Sequence, residues 1–204
     1  MSPFELLRDD GPLARALGAT LGRSVPLPAI VLLVAGVLPL LTAIAVTGAG
    51  TSDGIAVAAV GWLVLAAGTS SGRPHTGSLR WAIPPVLRLA EYASILWLGA
   101  LAGGSGPAAA FALLAAVAFR HYDLVYRPRF LGASPPRWVG DAGGGWEGRL
   151  LGGCVLLLAG ALPAGFFALA GVLGALFVGE CIAGWLGAER AGGAVGYADD
   201  GVEE

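Results

Sequence analysis

Arg88, Glu91 and Tyr92 fall at positions i, i+3 and i+4 of one apolar segment, a spacing that sets a guanidinium, a carboxylate and a phenol on one helix face. A second group, His121, Asp123, Tyr126 and Arg127, closes another apolar segment, while Arg149 immediately precedes a third and Glu180 lies within it. These residue types suit an anionic substrate that exchanges protons. Arg88, Arg127 and Arg149 are candidates to hold phosphate through charge-assisted hydrogen bonds. Asp123 and His121 are candidate acid/base groups. Glu91 and Glu180 join them as candidate catalytic or proton-relaying carboxylates, because an ionisable group inside an apolar span is costly. The bland alternative is that Arg88 pairs with Glu91 or Glu180 to hold helices together.

The elements that must position these groups are membrane helices. Hydrophobic residues make up 56% of the 204 residues and charged ones 13%, with a mean hydropathy of +0.75; a soluble domain carries roughly 25% charged residues. About 20 apolar residues are needed to cross the hydrocarbon. The spans read as Pro26–Gly48, with a kink expected at Pro39, then about Ile55–Thr69, Trp81–Ala102 and Pro107–Phe119, the last continuing as helix through Arg127. The block Leu150–Gly187 is too long for one span and divides most naturally at Pro163-Ala164-Gly165. The expected fold is therefore all-α, a polytopic bundle of six transmembrane helices (residues 26–187). An amphipathic helix on the membrane surface precedes it (residues 1–25), and a disordered acidic tail follows (residues 188–204). Pro128–Glu147 reads as an irregular loop.

All twelve cationic residues are arginine. They fall before the first span, between the second and third, between the fourth and fifth, and after the sixth, with Arg88 just inside the third; the connections 49–54, 103–106 and 162–165 hold none. Under the positive-inside rule both termini are cytoplasmic and the protein resides in the cell membrane. Trp81, Trp138, Trp146 and Trp185 mark the same interface. At 1.5 Å per residue, Glu91 lies about 12 Å and Glu180 about 10 Å inside it. Equal depth predicts one polar cavity open to the cytoplasm.

Several chemistries are excluded. The net charge of −2 offers no basic field for nucleic acid. Cys154 and Cys181 sit in apolar runs without metal-ligand spacing, so no metal site is expected. There is no nucleophile elbow, no H-E-x-x-H and no phosphate-binding P-loop; Gly143-Gly144-Gly145 lacks the lysine and the preceding strand of the last. Nothing in the sequence specifies a cofactor. Residues 1–24 carry too many charges for a cleavable signal peptide.

Four segments carry a resemblance: Asp9-Asp10-Gly11-Pro12-Leu13-Ala14-Arg15-Ala16-Leu17-Gly18, Leu87-Arg88-Leu89-Ala90-Glu91-Tyr92, His121-Tyr122-Asp123-Leu124-Val125-Tyr126-Arg127 and Gly145-Trp146-Glu147-Gly148-Arg149. Together, over residues 5–187, they resemble an uncharacterised bacterial membrane domain, mainly actinobacterial. It often follows nucleotidyltransferase-like and CDP-alcohol phosphatidyltransferase modules. Asp10, Gly11, Ala14 and Arg15 also match the centre of the CDP-alcohol phosphatidyltransferase motif D-x-x-D-G-x-x-A-R-x8-G-x3-D-x3-D. Its other positions are Leu7, Ser24, Pro28 and Leu32 here. With one carboxylate of four, the two-metal site of that family cannot form.

What the resemblance implies is a domain of phospholipid or lipid-linked headgroup metabolism, accessory or catalytic, partnered with a CDP-alcohol phosphatidyltransferase. A scaffold that anchors a partner ranks second, and a small proton-coupled transporter third, since no inverted repeat is visible. Gly171, Ala175, Gly179, Ala183 and Gly187 repeat every four residues, a stripe suited to close helix approach within the chain or in a homo-oligomer.

Overall fold

The computed structural model describes residues 7–50, 52–73 and 79–190, except the side chains of Ala49 and Arg190. The acidic tail and His75 lie outside the described residues. Among the described residues there are helices and turns and no strand.

The first helices are α1 (Pro12–Ala19), α2 (Leu21–Ser24), α3 (Ala29–Thr47) and α4 (Asp53–Thr69). They are followed by α5 (Ile83–Ala102), α6 (Gly106–Leu131), α7 (Arg137–Ala142), α8 (Gly145–Leu158) and α9 (Leu162–Arg190). Four segments are long and apolar enough to cross a membrane: Ala29–Thr47, Arg80–Ala102, Gly106–Leu131 and Leu162–Glu189. Helix α4 is apolar but shorter, and α8 has 14 residues.

The short connections between α3 and α4, α5 and α6, and α8 and α9 force antiparallel neighbours. The start of α5, the end of α6, the start of α8 and the end of α9 therefore gather at one end of the bundle. Nearly all the charges are there. The most extensive pairing is α6 against α9, followed by α3 with α4 and α5 with α6. Leu98, Leu113, Leu150, Phe166 and Phe177 fill the core between them.

Helix α3 is continuous through Pro39. Three sequence expectations change in detail. The block Leu150–Gly187 divides at Ala159–Ala161, where Gly160 has φ +65°. Pro163 then falls in the first turn of α9, where a missing N–H costs nothing. The stretch Pro128–Glu147 contains α7, and α6 persists to Leu131 before a left-handed Gly132. The N-terminal stretch is not one surface helix: α1 packs against α4 and α8, and residues 8–11 enter the bundle.

That entry is built on backbone proximity. A Cβ on Gly11 would stand 2.5 Å from both Glu147 Oε1 and the Gly144 carbonyl oxygen. Gly144 and Gly145 occupy the left-handed region, a conformation open to residues without a Cβ. Only glycines let these two turns touch.

Candidate functional site

The N-terminus of α1 has no local side-chain cap; its partner comes from α8. Glu147 Oε1 accepts from the Ala14 N–H at 3.0 Å and Oε2 from the Gly11 N–H at 3.1 Å. A carboxylate there satisfies amides left over by the helix and meets the positive end of its dipole. Burial pushes the Glu147 carboxyl up, and the Ala14 and Gly11 amides oppose that rise. Beside it, Asp10 Oδ1 accepts from the Trp146 indole, and Asp10 Oδ2 accepts from Ser71 and Arg8. Trp146 is fully buried, so unlike the exposed Trp81 and Trp138 it is core rather than an interface anchor.

Asp9 has φ +54°, unusual for a residue with a Cβ. That backbone turn aims its carboxylate inward. Arg149 Nη2 reaches Asp9 Oδ2 at 3.0 Å, and Arg149 Nε reaches Glu91 Oε1 at 2.7 Å. Arg120 Nε lies 3.6 Å from Asp9 Oδ1. His121 Nε2 is 3.7 Å from Glu91 Oε2, and His121 Nδ1 lies 2.8 Å from the Tyr92 hydroxyl. One network thus ties the N-terminal stretch, α5, α6 and α8 together.

A second network joins α6 to α9. Arg127 Nη1 and Nη2 each meet one oxygen of Glu180 at 2.7 Å, a fork-on-carboxylate pair. The same guanidinium bonds Asp123, four residues earlier on its helix, and Cys181 Sγ lies 3.4 Å from Asp123 Oδ1. Equal depth therefore does not bring Glu91 and Glu180 to one set of partners. Depth along a helix carries no information about azimuth, and each carboxylate meets the arginine of its own neighbour.

The three phosphate candidates separate accordingly. Arg127 and Arg149 are buried and committed to carboxylates. Arg88 forms no such pair: its Nη2 donates to the Leu7 carbonyl, and its buried Nε makes no hydrogen bond among the described residues. Arg88 also lines an open groove of about 360 Å³, together with Leu7, Trp81, Pro84, Pro85, Leu89 and Tyr92.

A family model described as "Family of unknown function (DUF5941)" matches residues 3–202. The chain belongs to this family. No curated protein and no solved structure matches it. In this DUF5941 chain the sequence-derived site residues occupy three settings. Arg88 is at the groove, Glu91, His121 and Arg149 are in the first network, and Asp123, Arg127 and Glu180 are in the second.

Sequence reasoning missed Arg8, Asp9, Asp10, Arg120 and Glu147. A signal existed. So many charges in so apolar a chain require partners, and Arg8-Asp9-Asp10 supplies carboxylates for the arginines of α6 and α8. The small-residue stripe of α9 faces away from the rest of the chain, with open space around Gly171, Gly179 and Gly187.

Proposed function

We propose that this chain is a six-span domain of the cell membrane, with both termini cytoplasmic, that acts on phosphate-bearing lipid headgroups at its cytoplasmic face. The observation that carries this reading is Arg88. It is a guanidinium without a carboxylate partner among the described residues, set in an otherwise largely apolar groove beside the exposed Trp81. Phosphate on the guanidinium and acyl chain along Pro84, Pro85 and Leu89 is the ligand chemistry such a lining suits. The buried networks hold the groove wall in place. The resemblance to domains that follow CDP-alcohol phosphatidyltransferase modules supports the same class of metabolism, with such an enzyme as partner. Headgroup analysis of membranes from cells with and without the gene tests the reading: altered phospholipid or lipid-linked headgroups support it, and unchanged composition counts against it.

A partner-anchoring role is the second reading. It is favoured by the exposed Gly171, Ala175, Gly179, Ala183 and Gly187 stripe, which no helix of this chain covers among the described residues.

A further inference from the structure

We infer that Tyr92 and His121 form a proton-accepting pair at the groove, so that the site distinguishes phosphomonoester lipids from phosphodiester ones. This rests on the phosphate reading of Arg88 and adds to it the class of phosphate bound. Tyr92 stands one helical turn from Arg88 and lines the same groove, while its hydroxyl lies 2.8 Å from His121 Nδ1. The other ring nitrogen, Nε2, is turned toward Glu91 Oε2 at 3.7 Å. A carboxylate on that side favours the proton on Nε2, which leaves Nδ1 to accept from the phenol. The order from groove to interior is then phosphate oxygen, Tyr92 Oη, His121 and Glu91.

A phosphomonoester monoanion carries one P–O–H; a diester carries none. With a monoester on Arg88, the P–O–H proton passes to Tyr92 Oη as the phenol's own proton passes to His121 Nδ1. The phosphate becomes a dianion, the imidazole an imidazolium, and no other bond changes. Charge near the ring is held by Arg88 and Glu91 on α5, Arg120 on α6 and Arg149 on α8, with Asp9 paired to Arg149 and facing Arg120. The added phosphate charge falls on the Arg88 side, where it offsets these cations. The new Nδ1–H points back at Tyr92 Oη, and Glu91 faces the imidazolium from its Nε2 side.

The chain has two histidines, so a His75→Gln background leaves one imidazole to observe. Imidazole-nitrogen NMR is recorded on histidine-labelled full-length protein in phosphatidylcholine nanodiscs, with phosphatidic acid or phosphatidylglycerol added. The expected result is a neutral ring with the proton on Nε2 in phosphatidylcholine and phosphatidylglycerol, and an imidazolium with phosphatidic acid. Tyr92→Phe is expected to keep phosphatidic acid binding within about threefold while the ring stays neutral, a spectroscopic change that loss of packing alone does not produce. Glycerol phosphate giving the same imidazolium signal would assign the monoester to a soluble source and still support the pair. Phosphatidic acid that binds without changing the ring overturns the inference and leaves the phosphate reading standing. Phosphatidylglycerol bound in place of either monoester overturns the inference alone, and failure of the unsubstituted chain to bind phosphatidic acid, phosphatidylglycerol or glycerol phosphate overturns both.

Discussion

Arg149 Nε and Glu91 Oε1, 58 residues apart on α8 and α5, meet at 2.7 Å with both side chains about 1% exposed. Neither charge has water to fall back on, so each exists in this fold because of the other and of Asp9. Substituting Arg149 by Met takes the hydrogen-bonded cation from two buried carboxylates, Glu91 and Asp9, and is expected to cost about 3–5 kcal/mol. Replacing Arg149 by Met and Glu91 by Leu together is expected to recover part of that loss. Reversible unfolding in mixed micelles measures both, and a double variant as unstable as the single one contradicts the pairing.

The Arg127–Glu180 fork is the charged link between α6 and α9. Arg127→Lys retains the charge and loses the fork, so most of its effect is expected to be geometric. A double-mutant cycle with Glu180→Gln is expected to return a coupling of about 1–3 kcal/mol. A coupling near zero would mean that packing alone pairs these helices.

Glu147 makes the start of α1 depend on α8. Glu147→Ala removes acceptors from two buried amides and is expected to cost about 1–2 kcal/mol, read as faster hydrogen exchange at Gly11 and Ala14. The pH dependence has a definite sign. Burial raises the folded carboxyl above its unfolded value, so the folded state holds the proton more tightly. Stability is then fully present below the ordinary carboxylate range and falls as pH rises through the raised value. Glu147→Gln is expected to lack that slope.

Parts of the fold and site were legible because they are local. Apolar run lengths gave the helices, the i, i+3, i+4 spacing placed Arg88, Glu91 and Tyr92 on one face, and Asp123 with Arg127 is a one-turn pair. What was not legible depends on azimuth and on long sequence separation. Asp9 finds Arg149 across 140 residues, and Glu147 finds Ala14 across 133. Both require the close contact of Gly11 with Gly145, which no periodicity encodes. The α8–α9 turn was misplaced by a few residues because a proline breaks a helix interior yet sits comfortably in a first turn.

The proposed membrane arrangement makes a labelling prediction. With six spans and cytoplasmic ends, Ser52→Cys and Ser105→Cys are expected to react with an impermeant thiol reagent on intact cells. Ser134→Cys, at an exposed position between α6 and α7, is expected to react only after permeabilisation. Reaction of Ser134→Cys from outside would invert or break the topology.

The exposed α9 stripe predicts a substitution without local cost. Gly179→Leu meets open space and is expected to change the stability of the single chain by no more than about 0.5 kcal/mol. If the stripe carries self-association, the same change is expected to lower cross-linked dimer at least fivefold. Unfolding of the single chain instead would show that this face is covered from within.

The proposed role of Arg88 as the phosphate-holding residue of the groove is tested most directly by native mass spectrometry of the purified chain with short-chain phosphatidic acid. The unsubstituted protein is expected to retain one lipid, and Arg88→Gln to weaken that retention at least tenfold with folding intact. Equal retention by both proteins would contradict the claim.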